Sequence, residues 1–163
     1  MKKSIELILL VITSVAAFFL LRNLYNDYMF HKKPLPQSYL NEIKLVENEI
    51  LNNMQREFGY QIKFPIIITD KIPGKIYGVT SHDKYGNIKI YLNKKIMKES
   101  FSYILSDVIA HEYAHAFLFH GNYYANGGEG HSDIWKQTCD KLGGANCRRY
   151  VDSHDVIMNK LPF

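Results

Sequence analysis

The stretch His111-Glu112-Tyr113-Ala114-His115 places two imidazoles four residues apart, with a carboxylate directly after the first. On a helix of about 3.6 residues per turn the two imidazoles share one side, and the carboxylate projects about 100° round from the first. Two imidazoles so spaced can bind a tetrahedral Zn²⁺, and the adjacent glutamate can reach a water on that metal. The chemistry specified is hydrolysis. The metal acidifies the water and polarises a carbonyl, while Glu112 takes the proton as general base and later delivers it to the leaving amine. A plainer reading exists, because Ile104, Val108, His111 and His115 continue one apolar stripe and a histidine on such a stripe is commonly a packing residue. Packing gives no reason for a glutamate beside the first of two histidines.

A catalytic zinc keeps one position open, so a third protein ligand is needed. His120 lies nine residues after His111, about half a turn from the ligand face. The metzincin pattern needs a histidine ten residues on, where this chain has Gly121. Glu129 and Asp133 reproduce the E-x-x-x-D spacing of gluzincins, yet Glu129 sits in Gly127-Gly128-Glu129-Gly130, which breaks helices. His131 precedes a second helical pattern with Ser132 or Asp133 as cap, Trp135 and Leu142 as core residues, and Gly143-Gly144 as stop. The residue types favour His131 over Glu129. Tyr123, Tyr124 and His120 are candidate donors to a tetrahedral intermediate, and Asp133 is a candidate partner for a ligand imidazole. His82 and His154 have no local motif and read as structural or surface residues.

Other elements must hold these groups. The motif helix is expected to start near Ser100 or Ser102 and to stop at Gly121. Before it, FPIIIT (64–69), KIYGVTSH (75–82) and NIKIYLN (87–93) read as three short strands, the last two joined by the turn Asp83-Lys84-Tyr85-Gly86. Further upstream, Leu40, Ile43, Val46, Ile50, Met54 and Phe58 fall at helical spacing between a Ser38 cap and a Gly59 stop. The fold class is therefore α+β, a small three-stranded sheet with a motif helix and flanking helices.

With 47% hydrophobic residues in 163, the chain can bury a core of its own. A net charge of +4 with scattered Lys and Arg gives no strong nucleic-acid signal. Residues 1–33 differ in kind, since Leu7 to Leu21 carry no charge and are flanked by Lys2, Lys3 and Arg22. The run is short for a spanning helix but extensible by snorkelling flanks, and no small-residue cleavage site follows it. It reads as an uncleaved signal anchor, giving a single-pass membrane protein, with a cleaved signal peptide as the rival reading. Lys32 to Ser38 forms a proline-containing linker, and residues 34–163 form the hydrolase domain. The flanking charges are nearly balanced, and the catalytic domain is expected outside the cytoplasm, where Cys139 and Cys147 could pair.

HEYAHAFLF followed by GEGHSDIW resembles the SprT-like zinc metallopeptidases, the Spartan proteases among them, whose active-site helix is followed by a loop and a G-H motif leading to an aromatic residue. GVTSHDKYGNIKIYLN resembles the hairpin before that helix, and LGGAN resembles the continuation after it, so the likeness runs from about Lys75 to Asn146. It implies a zincin-like fold, zinc ligands His111, His115 and His131, one catalytic Zn²⁺, and Glu112 as the catalytic glutamate. Two cysteines cannot build the four-cysteine ribbon carried by some relatives. The anchor is foreign to the relatives that cleave proteins crosslinked to DNA. A membrane-proximal protein or peptide is therefore the expected substrate. The alternatives are a zinc-stabilised binding module without catalysis and a zinc hydrolase of a cell-wall amide.

Overall fold

The structure is a computed structural model and describes residues 2–73 and 76–148; His154 lies outside them. The chain divides into two compact units, Met1–Leu35 and Pro36–Phe163.

The first unit is one helix, α1 (Lys2–Lys32). Its apolar run has no polar face, so it offers no stripe to set against a core. Side chains from Lys3 to Tyr28 are exposed, and the helix is long and apolar enough to cross a membrane. Its 31 residues extend about 46 Å, more than the roughly 30 Å of a hydrocarbon layer. Thr13 and Ser14 donate their hydroxyls back to the Leu9 and Leu10 carbonyls at 2.9 and 2.8 Å, so neither needs a partner outside the helix.

The second unit is α+β. Helix α2 (Gln37–Phe58) buries Ile43, Glu47, Ile50 and Met54 along one stripe and ends at Gly59 in the left-handed conformation. Two expectations change here. Pro36 holds the N-cap position without a side-chain bond, placing Ser38 inside the first turn, and Leu40 is 39% exposed. The core position one turn after Ile43 is filled by Glu47, an acid that burial would penalise without partners. It has two: Lys63 Nζ at 2.6 Å and Tyr113 Oη at 2.8 Å.

Three strands form a mixed sheet in the order β1-β3-β2, namely β1 (Ile66–Thr69), β2 (Gly78–His82) and β3 (Ile88–Asn93). Strand β3 is central, parallel to β1 through Ile66↔Ile90 and antiparallel to β2 through Thr80↔Ile90. Its alternate residues Ile88, Ile90 and Leu92 are buried, the period-2 pattern of a strand with one face on a core. Asp83 closes the β2–β3 turn by accepting the Tyr85 and Asn87 N–H groups at 2.8 and 3.0 Å.

Helix α3 (Lys94–Tyr103) follows β3 at once, because Asn93 ends the strand and caps the helix by accepting the Lys95 N–H. The motif helix therefore does not begin at Ser100 or Ser102. Instead the chain kinks at Ser100 (φ −128°, ψ 26°), makes a π turn over Ile104–Val108, and continues as α4 (Ile109–His120), which stops at Gly121. The π turn inserts a residue into the helical ladder and rotates α4 relative to α3, resetting the face that the histidines present. Asp107, buried in that turn, accepts the Asn146 N–H at 2.7 Å and ties the start of α4 to the loop after α5 (Asp133–Leu142). Ile90, Leu92, Ile109, Tyr113 and Leu142 meet in the core with no exposed surface, each contributing about 1.5–3 kcal/mol of burial.

Asn93 is fully buried, caps α3 and donates its Nδ2 to the Ile76 carbonyl at 2.8 Å, joining the end of β3 to the segment entering β2. Asn93→Ala removes the cap and strands that carbonyl. Denaturant melts should show about 1–3 kcal/mol of lost stability; an unchanged midpoint would contradict this role.

Candidate metal centre

His111 and His115 lie one turn apart on α4, and His131 stands directly before the Ser132 cap of α5. The structure brings these three together as a group able to hold a metal ion. The Nε2 atoms of His111 and His115 each lie 3.1 Å from Nε2 of His131. Three nitrogens around a tetrahedral ion at 2.0–2.1 Å would be separated by about 3.3–3.4 Å, so the fit needs shifts of only tenths of an ångström. Glu129 is exposed and outside the group, and His120 is exposed, its ring 6.3 Å from that of Phe64. Asp133 is also exposed, in the first turn of α5, and no bond between it and an imidazole is present among the described residues.

The third histidine is delivered by backbone geometry. His131 has φ +59°, in the left-handed region, which costs a non-glycine residue about 1–2 kcal/mol and turns the chain back toward α4. Contacts on both sides fix that turn. Ser132 accepts the Trp135 N–H as helix cap, and Tyr123 Oη donates to Ser132 Oγ at 3.1 Å. Gly128 lies against the Tyr123 ring so closely that any Cβ there would collide with it. Beneath the site, Trp135 is 1% exposed and its ring lies 4.6 Å from those of His111 and His131 and 5.2 Å from that of His115. This ring is a shelf that sets the depth of all three imidazoles. Its Nε1–H has no hydrogen-bond partner among the described residues. A tryptophan thus serves here through ring area, not its polar atom.

Burial pushes the His111 imidazole down to about 4, with the His131 charge adding to the effect. The same cause, reinforced by His111 and His131, pushes His115 down to about 3. Both rings are neutral at pH 7 and have lone pairs to give, as metal coordination demands.

Glu112 is 5% exposed. Burial raises its carboxyl to about 7, against the pull of hydrogen bonds from the Thr80 side chain and backbone. Thr80 Oγ1 lies 2.7 Å from Glu112 Oε2 and 2.8 Å from the Glu112 carbonyl, so its single hydrogen is shared between two acceptors on the helix. Gly78, two residues earlier on the same face of β2, makes the approach possible. A Cβ there would lie 2.9 Å from both Glu112 Cγ and Val108 Cγ1. Neither residue stands out in the sequence, although their i, i+2 spacing in a strand before the motif was a usable signal. Tyr124 is likewise engaged, its Oη 2.8 Å from His115 Nδ1. Its phenol is pushed up to about 12 by burial, then by Tyr123 and Glu112, and so remains neutral. His82 stacks on Phe119 with ring centroids 5.2 Å apart.

Behind the site, Cys139 on α5 is joined to Cys147 by a disulfide. Gly144 passes between them, where a Cβ would meet the two sulfurs at 2.7 and 2.5 Å. The bridge and the Asp107–Asn146 bond together fasten the far end of α5 to the base of α4.

Because His131 is in the group and Glu129 is outside it, the two substitutions should separate cleanly. His131→Ala should lose bound metal on dialysis against a mild chelator, whereas Glu129→Ala should retain it at the parent stoichiometry. The opposite result would move the third ligand to the carboxylate.

Comparison with protein families finds the SprT-like family over residues 21–154. No curated protein matches, and no solved structure does. With most of its length matched, the chain belongs to the SprT-like family.

Proposed function

We propose that this protein is a membrane-anchored zinc-dependent metallopeptidase, with His111, His115 and His131 as metal ligands and Glu112 as general base. The observation that carries the reading is the convergence of three imidazoles beside a buried carboxylate. An all-nitrogen set of three with one position open suits catalytic zinc. When bound, zinc supplies Lewis-acid polarisation of a carbonyl and acidifies water.

The chain's own residues supply the rest. Glu112 accepts a proton from the attacking water and returns it to the leaving amine, a task suited to a carboxyl poised near neutrality. A cation held by the three histidines would draw that carboxyl down from about 7, favouring the form that can accept. Thr80 holds the carboxylate, and the Gly78 gap lets it lie against β2. That strand is an edge of the sheet, so an extended peptide adding to it would run alongside Glu112. This favours an unfolded protein or peptide as substrate.

Residues 1–33 would anchor the chain in the membrane and residues 34–163 would form the peptidase domain. The Cys139–Cys147 disulfide favours an oxidising compartment, hence a domain outside the cytoplasm.

The full chain in detergent should bind one zinc and cleave unfolded protein, while Glu112→Gln keeps the zinc and loses about 10²-fold or more in rate. Activity surviving that substitution would sink the mechanism. Cleavage confined to cell-wall fragments would point to an amide hydrolase, and zinc binding without any cleavage to a binding module. Thr80→Val tests the carboxylate's support. It removes a hydrogen bond that lowers the Glu112 pKa, so the acidic limb of the kcat/KM profile should move to higher pH; a limb that stays or moves down would contradict the assignment.

A further inference from the structure

We propose that Tyr124 is a positioning residue for the metal site, accepting the Nδ1–H of His115 at its phenol oxygen and thereby holding Nε2 of that ring toward the ion. The inference rests on the zinc reading of the three histidines. Its basis is the division of labour in one imidazole: His115 Nδ1 lies 2.8 Å from Tyr124 Oη, while Nε2 lies 3.1 Å from His131 Nε2. A neutral histidine has one proton and one lone pair on its two nitrogens. If Nε2 gives its lone pair to a metal, the proton must be on Nδ1, and Tyr124 can only be the acceptor there. The phenol keeps its own hydrogen for another group. Without metal the opposite tautomer satisfies the same distances, with Tyr124 donating to Nδ1 and Nε2–H directed at His131. Metal loading therefore selects a tautomer and reverses this hydrogen bond.

Tyr124 is delivered by the same loop that delivers His131. It opens the short turn Tyr124–Asn126 between α4 and α5. Its ring packs 4.4 Å from Phe119 and 5.4 Å from Tyr123. Tyr123 in turn accepts the Gly128 N–H at its carbonyl and donates to Ser132, so the loop is pinned on both sides of its glycines. Metal-bound histidines generally give their second nitrogen to a carboxylate, a backbone carbonyl or water. A phenol fills that place here without adding a negative charge beside the site.

Tyr124→Phe keeps the ring and its packing and deletes only the oxygen. In competition with a chromogenic zinc chelator, the full chain in detergent should bind zinc about 10- to 100-fold more weakly after this change, while the metal-free protein still unfolds in a single cooperative transition. In ¹⁵N-edited NMR of the zinc-loaded parent the His115 Nδ1 proton should exchange slowly with water, and Tyr124→Phe should abolish that protection. Unaltered affinity in Tyr124→Phe, or a His115 Nδ1 proton whose exchange that change leaves untouched, would overturn the proposal. A parent protein that binds no zinc would overturn the metal reading beneath it; zinc bound by the parent and equally by Tyr124→Phe would overturn the positioning role alone.

Discussion

Three imidazoles can share one point only if two helices are held at a fixed distance and rotation, and this requirement organises the second unit. His111 and His115 belong to α4 by simple helical spacing, but His131 belongs to the start of α5 and must be brought back across a glycine-containing loop. Trp135 fixes the separation from below, its ring in contact with all three histidine rings. The disulfide and the Asp107–Asn146 bond close the circuit at the other end of α5. Constraints at both ends of the helix pair make a slip of either helix costly, which is how a site of three separate rings keeps its shape.

The second organising term is electrostatic. Burial that makes His111 and His115 reluctant to protonate also makes Glu112 reluctant to ionise. These effects act in opposite senses on acid and base: the two imidazoles are neutral at pH 7, and the carboxyl is poised about half ionised there. Neutral donors of this kind are suited to hold a metal ion, and a positive charge there would draw the carboxyl toward its ionised form. Thr80 limits how far the carboxyl drifts upward, so the strand tunes the acid as well as positioning it.

Local periodicity made much of this legible. The alternating isoleucines of β3, the Asp83–Gly86 turn, Gly59 and Gly143 as helix stops, and the His111–Glu112–His115 spacing are near-neighbour properties, readable without a third dimension. The preference for His131 over Glu129 was also local, since three glycines around one acid break the helix that would carry it. Errors arose where tertiary contact overrode local preference. Ser38, Ser100 and Ser102 looked like caps, yet Pro36 and Asn93 hold those positions. Asn93 does so because its amide also serves the Ile76 carbonyl, a demand no window around it reveals. Glu47 at a core position depends on Lys63 and on Tyr113, sixty-six residues away.

The residues least visible in the sequence are those that act across the sheet-to-helix gap. Thr80 has the composition of any strand residue, and its meaning comes only from the carboxylate opposite. Gly78 would weaken a strand and so argues locally against one. Its presence is explained by what it leaves out, because a side chain there would push Glu112 and Val108 away from β2. Helix α4 can carry a buried acid only if its neighbour supplies both a vacancy and a hydrogen-bond donor, and β2 supplies them two residues apart on one face. The glutamate and its strand thus form one unit of structure, although the sequence separates Thr80 from Glu112 by a hairpin and two helical segments.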